Sequence, residues 1–303
     1  MRTLNLFTAV IVAVSFLTIS NQVIADNTMI YWNDCVNIYR MNTDGTGRQQ
    51  IITGMDSGFG LAVDSFSNKI YWTESYSRIR RANLDGSQIE DVITNKLCTT
   101  VALDPINSRL YWDDSDKLYS SNLDGTDIQP IENLEGLEPF DIEIDSAGSK
   151  IYCSGMSENI YRSNLDGSQF EYYHSNNLFM SDIALNLRDS KIYLSPFDNE
   201  QIAIANLDFS NMQYFTLPNF RNNCIALDLP TNKIYGGGWD LDSSSGYIWR
   251  ANLDFSGYEL IANNAYAVNI AIGPVPEPAT ILLLGLGALI TKSFKLRTKS
   301  QSL

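Results

Sequence analysis

The chain has 303 residues, room for one large domain or two ordinary ones. Its 35 Asp and Glu against 21 Lys and Arg give a formal net charge of −14, which excludes the basic patch that nucleic acid requires, and a single histidine, His174, excludes a multi-histidine metal centre. With 44% apolar and 18% charged residues the composition is that of a core-forming chain and not a disordered one, and 16 tyrosines and 13 phenylalanines favour strands.

Residues 1–25 hold one base and no acid. Met1-Arg2 opens a short positive segment, Leu4 to Ile19 is apolar, and Val23-Ile24-Ala25 offers the small residues that a signal peptidase reads. The pattern predicts an export signal removed after Ala25.

From there the chain repeats. The pairs Ile30-Tyr31, Ile70-Tyr71, Leu110-Tyr111, Ile151-Tyr152, Ile192-Tyr193 and Ile234-Tyr235 recur at intervals of 40 to 42 residues. An Asn-x-Asp step follows each, at Asp44, Asp85, Asp124, Asp166, Asp208 and Asp254. An apolar triplet precedes five of them, closing at Asp64, Asp104, Asp145, Asn186 and Asp228. A period near 40 built from short β-type runs points to propeller blades. Within one repeat the innermost strand ends at Asp64, the second is Lys69–Trp72, the third Arg78–Ala82 and the fourth Ile89–Ile93, with a hairpin at Asp85-Gly86. The first repeat lacks an innermost strand and residues 267–272 supply a spare one. Joining them gives an all-β, six-bladed propeller of four-stranded antiparallel blades over residues 26–273, with no open edge in the ring.

Ile70-Tyr-Trp-Thr-Glu74, Arg78-Ile-Arg-Arg-Ala-Asn-Leu-Asp-Gly-Ser87 and Val101-Ala-Leu-Asp-Pro105 resemble the class B (YWTD) repeats of low-density lipoprotein receptors. The resemblance is strongest over residues 60–125; later Cys153, Leu194 and Gly236 stand where the tryptophan would be. It implies a six-bladed propeller that binds protein ligands through surface loops and has no catalytic site. No EGF-like cysteine module follows the repeats, unlike in those receptors.

Few residues offer chemistry. The Asn-x-Asp-Gly steps read as tight turns and not calcium loops, since Asn83-Leu-Asp85-Gly86 runs straight into a strand and the same turn recurs in every blade. The recurring aspartates at strand ends read as acceptors for backbone N–H groups. Asp240-Leu-Asp242-Ser-Ser-Ser-Gly246 and Asp113-Asp114-Ser-Asp116 read as polar loops with at most a weak claim on calcium, and His174 as a surface residue at a strand end. Cys35, Cys98, Cys153 and Cys224 share no repeat position, and the three possible pairings stay open. The expectation is a binding propeller without catalytic, cofactor or metal residues. Its candidate ligand surface is Glu74, Tyr76, Asp114, Asp116, Glu158, Phe197, Asp198, Trp239 and Asp240, where aromatics stand among acids as protein or glycan contacts require. The alternative is a calcium-dependent lactonase-like hydrolase, for which Asp56, Glu138, Asp182 and Asn222 would have to converge at the channel mouth.

The chain ends in a third segment, residues 274–303. Gly273-Pro274-Val275-Pro276-Glu277-Pro278 is expected to stop regular structure. Ala279 to Ile290 is apolar but for Thr280, and Lys292, Lys295, Arg297 and Lys299 follow without an acid. A short apolar stretch with a basic far end suits a bilayer. Val275-Pro-Glu-Pro278, the apolar stretch and the basic end, in that order, resemble a PEP-CTERM sorting signal. That resemblance implies export, handling by an exosortase-type membrane enzyme, and the envelope or exopolysaccharide matrix of a Gram-negative-type bacterium. The expected partners are a signal peptidase, that processing enzyme and a protein or exopolysaccharide ligand, with membrane contact through this segment alone. Whether the segment is cut off or retained stays open.

Overall fold

The computed structural model describes residues 28–276 except 116, 135, 156–158, 175–178, 198–199, 218–219 and 241–244, and gives residues 220 and 240 by backbone only. The expected export signal over residues 1–25 and the tail from Glu277 lie outside the described residues.

The described chain is all β and forms six four-stranded antiparallel sheets. Blade one holds β1 (Thr28–Asn33), β2 (Ile38–Asn42) and β3 (Gln49–Ile52). Blade two is β4 (Leu61–Asp64), β5 (Lys69–Glu74), β6 (Arg78–Asn83) and β7 (Glu90–Thr94). Blade three is β8 (Val101–Asp104), β9 (Arg109–Asp114), β10 (Lys117–Asn122) and β11 (Gln129–Pro130). Blade four is β12 (Pro139–Asp145), β13 (Lys150–Gly155), β14 (Asn159–Asn164) and β15 (Glu171–His174). Blade five is β16 (Met180–Asn186), β17 (Lys191–Pro196), β18 (Gln201–Asn206) and β19 (Gln213–Thr216). Blade six is β20 (Phe220–Asp228), β21 (Lys233–Asp240), β22 (Gly246–Asn252) and β23 (Glu259–Asn263). The last strand, β24 (Asn269–Pro274), pairs with β1 and completes blade one from the inside.

Burial explains why the strands alternate poorly in sequence. The second strand is sealed on both faces, so β5 is buried from Ile70 to Glu74. Exposure grows outward, and in β7 only Ile93 is buried. The apolar cores lie between blades: Tyr31, Ile38 and Ile52 of blade one pack with Leu61, Ile70 and Trp72 of blade two. Arginines on third strands reach across the same seams. Arg40 donates to the Leu84 carbonyl at 3.1 Å, Arg81 to Leu123 at 2.9 Å and Arg162 to Leu207 at 2.7 Å.

The Asn-x-Asp steps are turns. Asp85 Oδ1 accepts from Ser87 N at 2.9 Å and Ser87 Oγ at 2.6 Å, while Gly86 N donates to the Asn83 carbonyl at 2.8 Å. The Asn83 side chain accepts from Lys69 Nζ at 2.8 Å, tying the third strand to the second. Lys150–Asn164, Lys191–Asn206 and Lys233–Asn252 repeat that bond. Three strand-end aspartates bind backbone as expected, Asp64 accepting from Phe66 N and Ser67 N, Asp104 from Asn107 N and Asp145 from Gly148 N, whereas Asp228 accepts from the Thr28 and Thr231 hydroxyls at 3.2 and 2.7 Å.

Ring closure corrects one expectation. Gly273 and Pro274 do not interrupt the chain but end β24, opposite Met29 and Thr28. Pro274 is tolerated because the innermost strand turns its free edge to the channel, where no N–H is required. Its carbonyl accepts from Tyr31 Oη at 2.8 Å within blade one, and Arg250 of blade six donates to the Thr43 carbonyl at 2.8 Å across the seam between the last blade and the first.

Candidate binding face

Second strands end and innermost strands begin on one face, and a cavity of about 820 Å³ opens there. Its floor is a single repeat position. The residue five places before each closing position is Phe59, Thr99, Phe140, Ser181, Asn223 or Val268, one from each blade, and all six line the cavity. Three of them, Phe140, Ser181 and Asn223, are the unpaired residues of β-bulges between Pro139 and Asp141, Met180 and Asp182, and Asn222 and Cys224. A bulge re-aims one side chain out of the ladder. Here it frees three side chains for the floor while the strands beneath stay paired.

The wall is aromatic. Phe140, Phe179, Phe197, Trp239 and Tyr266 form a chain of ring contacts at 4.6, 6.1, 5.9 and 6.2 Å between centroids. It spans blades four to six and ends in the loop that leads into β24. Across the bowl Phe59 and Tyr76 meet at 5.1 Å. Phe197 and Tyr76 are 49% and 44% exposed, so their rings are available to a ligand. The polar groups are few. Asn223 is buried and its Oδ1 makes no hydrogen bond among the described residues, an acceptor held ready at the floor. Glu138 is the exposed carboxylate of the lining, and no lysine or arginine lies among the described lining residues.

The residues expected to form the ligand surface fall in different places. Tyr76 and Phe197 are on the bowl, and half-buried Trp239 stands in the ring chain behind it. Glu74 is corrected: it is 4% exposed and works inside blade two. It accepts from Trp72 Nε1 at 3.2 Å, Arg78 at 2.9 Å and Arg80 at 3.2 Å. Burial acts to raise its pKa, but those hydrogen bonds and the two guanidinium charges win and hold it below the usual carboxylate range. Asp114 is partly exposed, with its oxygens engaged by Lys96 Nζ at 2.8 Å and Leu97 N at 3.0 Å. The acid that ends the YWTD-like tetrad therefore braces its own sheet at Glu74 and fastens a loop at Asp114. Asp116, Glu158 and Asp198 lie outside the described residues, as does the Asp240 side chain and most of the 240–246 loop. His174 is exposed at the end of β15, with Nδ1 2.8 Å from Asn159 Oδ1. All four cysteines are free thiols, so none of the three pairings is formed.

Beneath the bowl runs the channel, a cavity of about 290 Å³ walled by innermost strands. The position two places before each closing residue is Ala62, Ala102, Glu143, Ala184, Ala226 or Ala271, so Glu143 is the one departure from an alanine layer. Asp141 and Asp182 stand just above. Asp141 Oδ2 accepts from Ile183 N at 3.1 Å and Asp182 Oδ2 from Ile225 N at 2.7 Å, each bolting its strand to the next blade. Burial raises both pKa values, Asp182 further through the Asp141 charge, and the two side chains hydrogen-bond to each other. Burial and the same charge push Glu143 up to about 8.

The four residues named for the hydrolase alternative do not converge. Asp56 is exposed beside Ser75, Glu138 is on the bowl, and buried Asn222 accepts from Trp249 Nε1 at 2.8 Å. Only Asp182 reaches the channel, where its outward oxygen holds a backbone N–H. Among the described residues no group of three or more His, Cys, Asp or Glu is arranged to hold a metal ion.

Residues 274–299 match the family model of the PEP-CTERM protein-sorting motif. The chain carries a C-terminal PEP-CTERM sorting motif. That motif supports export and C-terminal membrane anchoring in a Gram-negative-type envelope. The repeats are similar to the low-density lipoprotein receptor-related protein 5 of Mus musculus, 36% identical over 93 residues, which is 28% of this chain and 6% of that protein. They are also similar to the cueball protein of Drosophila virilis, 26% identical over 133 residues, 41% of this chain and 21% of that one. The chain thus spans less than a quarter of the length of these relatives. Among solved structures it superimposes on a chain of the nidogen/laminin complex with a TM-score of 0.71 at 19% identity, covering 82% of this chain and 100% of that one. The six-bladed YWTD-like propeller is thereby shown as the fold.

Proposed function

We propose that this is an exported, non-enzymatic binding propeller of the cell surface or its matrix, whose ligand sits in the aromatic bowl. The observation that carries the reading is the convergence of Phe59, Tyr76, Phe140, Phe197 and Tyr266 on one cavity with a buried, unused acceptor at its floor. Aromatic walls bury the flat faces of sugar rings or the side chains of a protein loop at small entropic cost, and few polar groups fix orientation. The bowl binds without metal or cofactor in this reading, and no residue is assigned a catalytic role. An exosortase-type enzyme is proposed to process the tail.

Trp239 gives the assay its signal, since it touches both Phe197 and Tyr266. Exopolysaccharide purified from the producing cells, and separately a panel of synthetic peptides, are titrated into the protein while indole emission is followed. One of the two panels is expected to change the emission saturably. Phe197→Ala and Tyr76→Ala are expected to weaken that binding by about tenfold or more, as loss of a central aromatic anchor does, while leaving the melting temperature near wild type. Binding unaffected by both substitutions would overturn the bowl as the site.

A further inference from the structure

The face opposite the bowl carries a second pattern. Five innermost strands end there in a turn whose tip lies two places beyond the closing residue, and in blade one the corresponding position is in the chain that leaves β24. In order from blade one these positions hold Val275, Phe66, Ile106, Ala147, Arg188 and Pro230. The strands behind the first three are neighbours around the channel: Gly273 packs against Val63, and the floor of blade two bonds to blade three through Gly60 N to the Thr99 carbonyl. Val275, Phe66 and Ile106 therefore form one arc, and they are 43%, 78% and 72% exposed. Ile89, Ile128 and Phe170, which lead into the outer strands of blades two, three and four on this face, are exposed as well and do not themselves distinguish the arcs. The other arc, with Ala147, Arg188 and Pro230, offers no large apolar tip.

The chain leaves the ring on this same arc. β24 ends at Pro274 and the apolar run starts at Ala279, five residues later. Five steps of extended chain reach at most ~17 Å. A tail seated in a bilayer thus holds this face, and no other, within reach of the headgroups. Isolated apolar side chains on a surface need no explanation, but three at consecutive strand ends beside a membrane-anchoring tail share one sector of this face.

We propose that the arc of Val275, Phe66 and Ile106 seats in the lipid interface, so that the anchored propeller stands on blades one to three with its bowl turned away from the membrane. Aromatic and aliphatic side chains at that depth bury themselves among headgroups and upper acyl chains. The tail then does more than tether: it fixes orientation and leaves the bowl open to whatever lies outside. The proposal stands independently of what the bowl binds.

The test uses the chain with its tail intact, reconstituted into phosphatidylethanolamine/phosphatidylglycerol vesicles with lipids brominated near the glycerol end of the acyl chains. Phe66→Trp, Ile106→Trp and Arg188→Trp place a reporter on each arc at exposed tips, and a melting curve checks the last, which gives up bonds to the Leu229 carbonyl and Asn232 Oδ1. After subtraction of wild-type emission, the Phe66→Trp and Ile106→Trp reporters are expected to be blue-shifted and to lose about half their intensity to the bromolipid, as a residue some 5–10 Å below the surface does. The Arg188→Trp reporter is expected to be unquenched. Equal, absent quenching at all three positions would overturn the proposal. So would shielding of the Phe66→Trp reporter from aqueous acrylamide without any bromolipid quenching, which would make the arc a protein interface.

Discussion

Replacing Glu74 by alanine separates a structural carboxylate from a ligand contact. The side chain is 5% exposed and receives three hydrogen bonds, two of them from guanidinium groups. Hydrogen bonds to charged groups contribute about 1.5–3 kcal/mol each, and a buried donor left without its acceptor costs about 1–3 kcal/mol. Arg78 and Arg80 are 35% and 26% exposed, so both recover much of the loss by turning to water. Trp72 is wholly buried, and its Nε1 has no such outlet. The net cost of Glu74→Ala is therefore about 3 kcal/mol, or ~6–12 °C in melting temperature for a domain of this size. Glu74→Gln keeps the volume and an acceptor for the indole, and is expected to lose about half as much. The pH dependence gives a second reading. Because the folded pKa is lowered, Glu74 stabilises the fold above the ordinary carboxylate range, and that share is lost as pH falls through the lowered value. Wild type and Glu74→Gln are thus expected to differ at neutral pH and converge in acid, by urea denaturation across a pH series. A Glu74→Ala protein within about 0.5 kcal/mol of wild type, at the level of an ordinary surface substitution, would refute the reasoning and return Glu74 to the ligand surface.

Glu143→Ala restores the alanine layer of the channel. The folded pKa of Glu143 is raised to about 8, so its stabilising share is full below the ordinary carboxylate range and is lost as pH rises through 8. The variant is expected to be the more stable protein at pH above 8, with the gap growing by up to ~1.4 kcal/mol per pH unit in between; parallel curves in thermal melts across that range would contradict it. Gly125→Ala is expected to destabilise by about 2–4 kcal/mol in the same melts, because φ is +81° and an added Cβ would stand 2.0 Å from the Val92 carbonyl oxygen, a backbone atom of the neighbouring blade.

The ring was legible because each blade repeats the same bonds, and repeated bonds leave a repeated sequence. The Asn-x-Asp-Gly turn needs the same four residues wherever a third strand meets a fourth. Even its exceptions have local reasons: Phe209 takes the glycine's place with φ of 64° and packs on Tyr152 and Tyr173, and Phe255, with φ of 62°, stacks on Phe215. The lost tryptophans follow the same logic. Gly236 stands where blade two has Trp72, yet the space is filled, since a Cβ on Gly236 would fall 2.4 Å from the indole of Trp249 on the adjacent strand. The tetrad had thinned in sequence while the packing it served had moved by one strand. The bowl stayed hidden for the converse reason. Its floor position, five before the closing residue, holds Phe, Thr, Phe, Ser, Asn and Val, which share no chemistry and so register as noise between repeats. In sequence, acids such as Glu74 and Asp114 beside Trp72 and Trp112 look like a contact surface, because charge next to an aromatic is the pattern such surfaces carry. Only the register shows Glu74 still inside β5, facing Arg78 across the hairpin. In a repeat protein, the positions that agree hold the ring together, and a site is to be sought at a position whose side chains converge in space while their identities disagree.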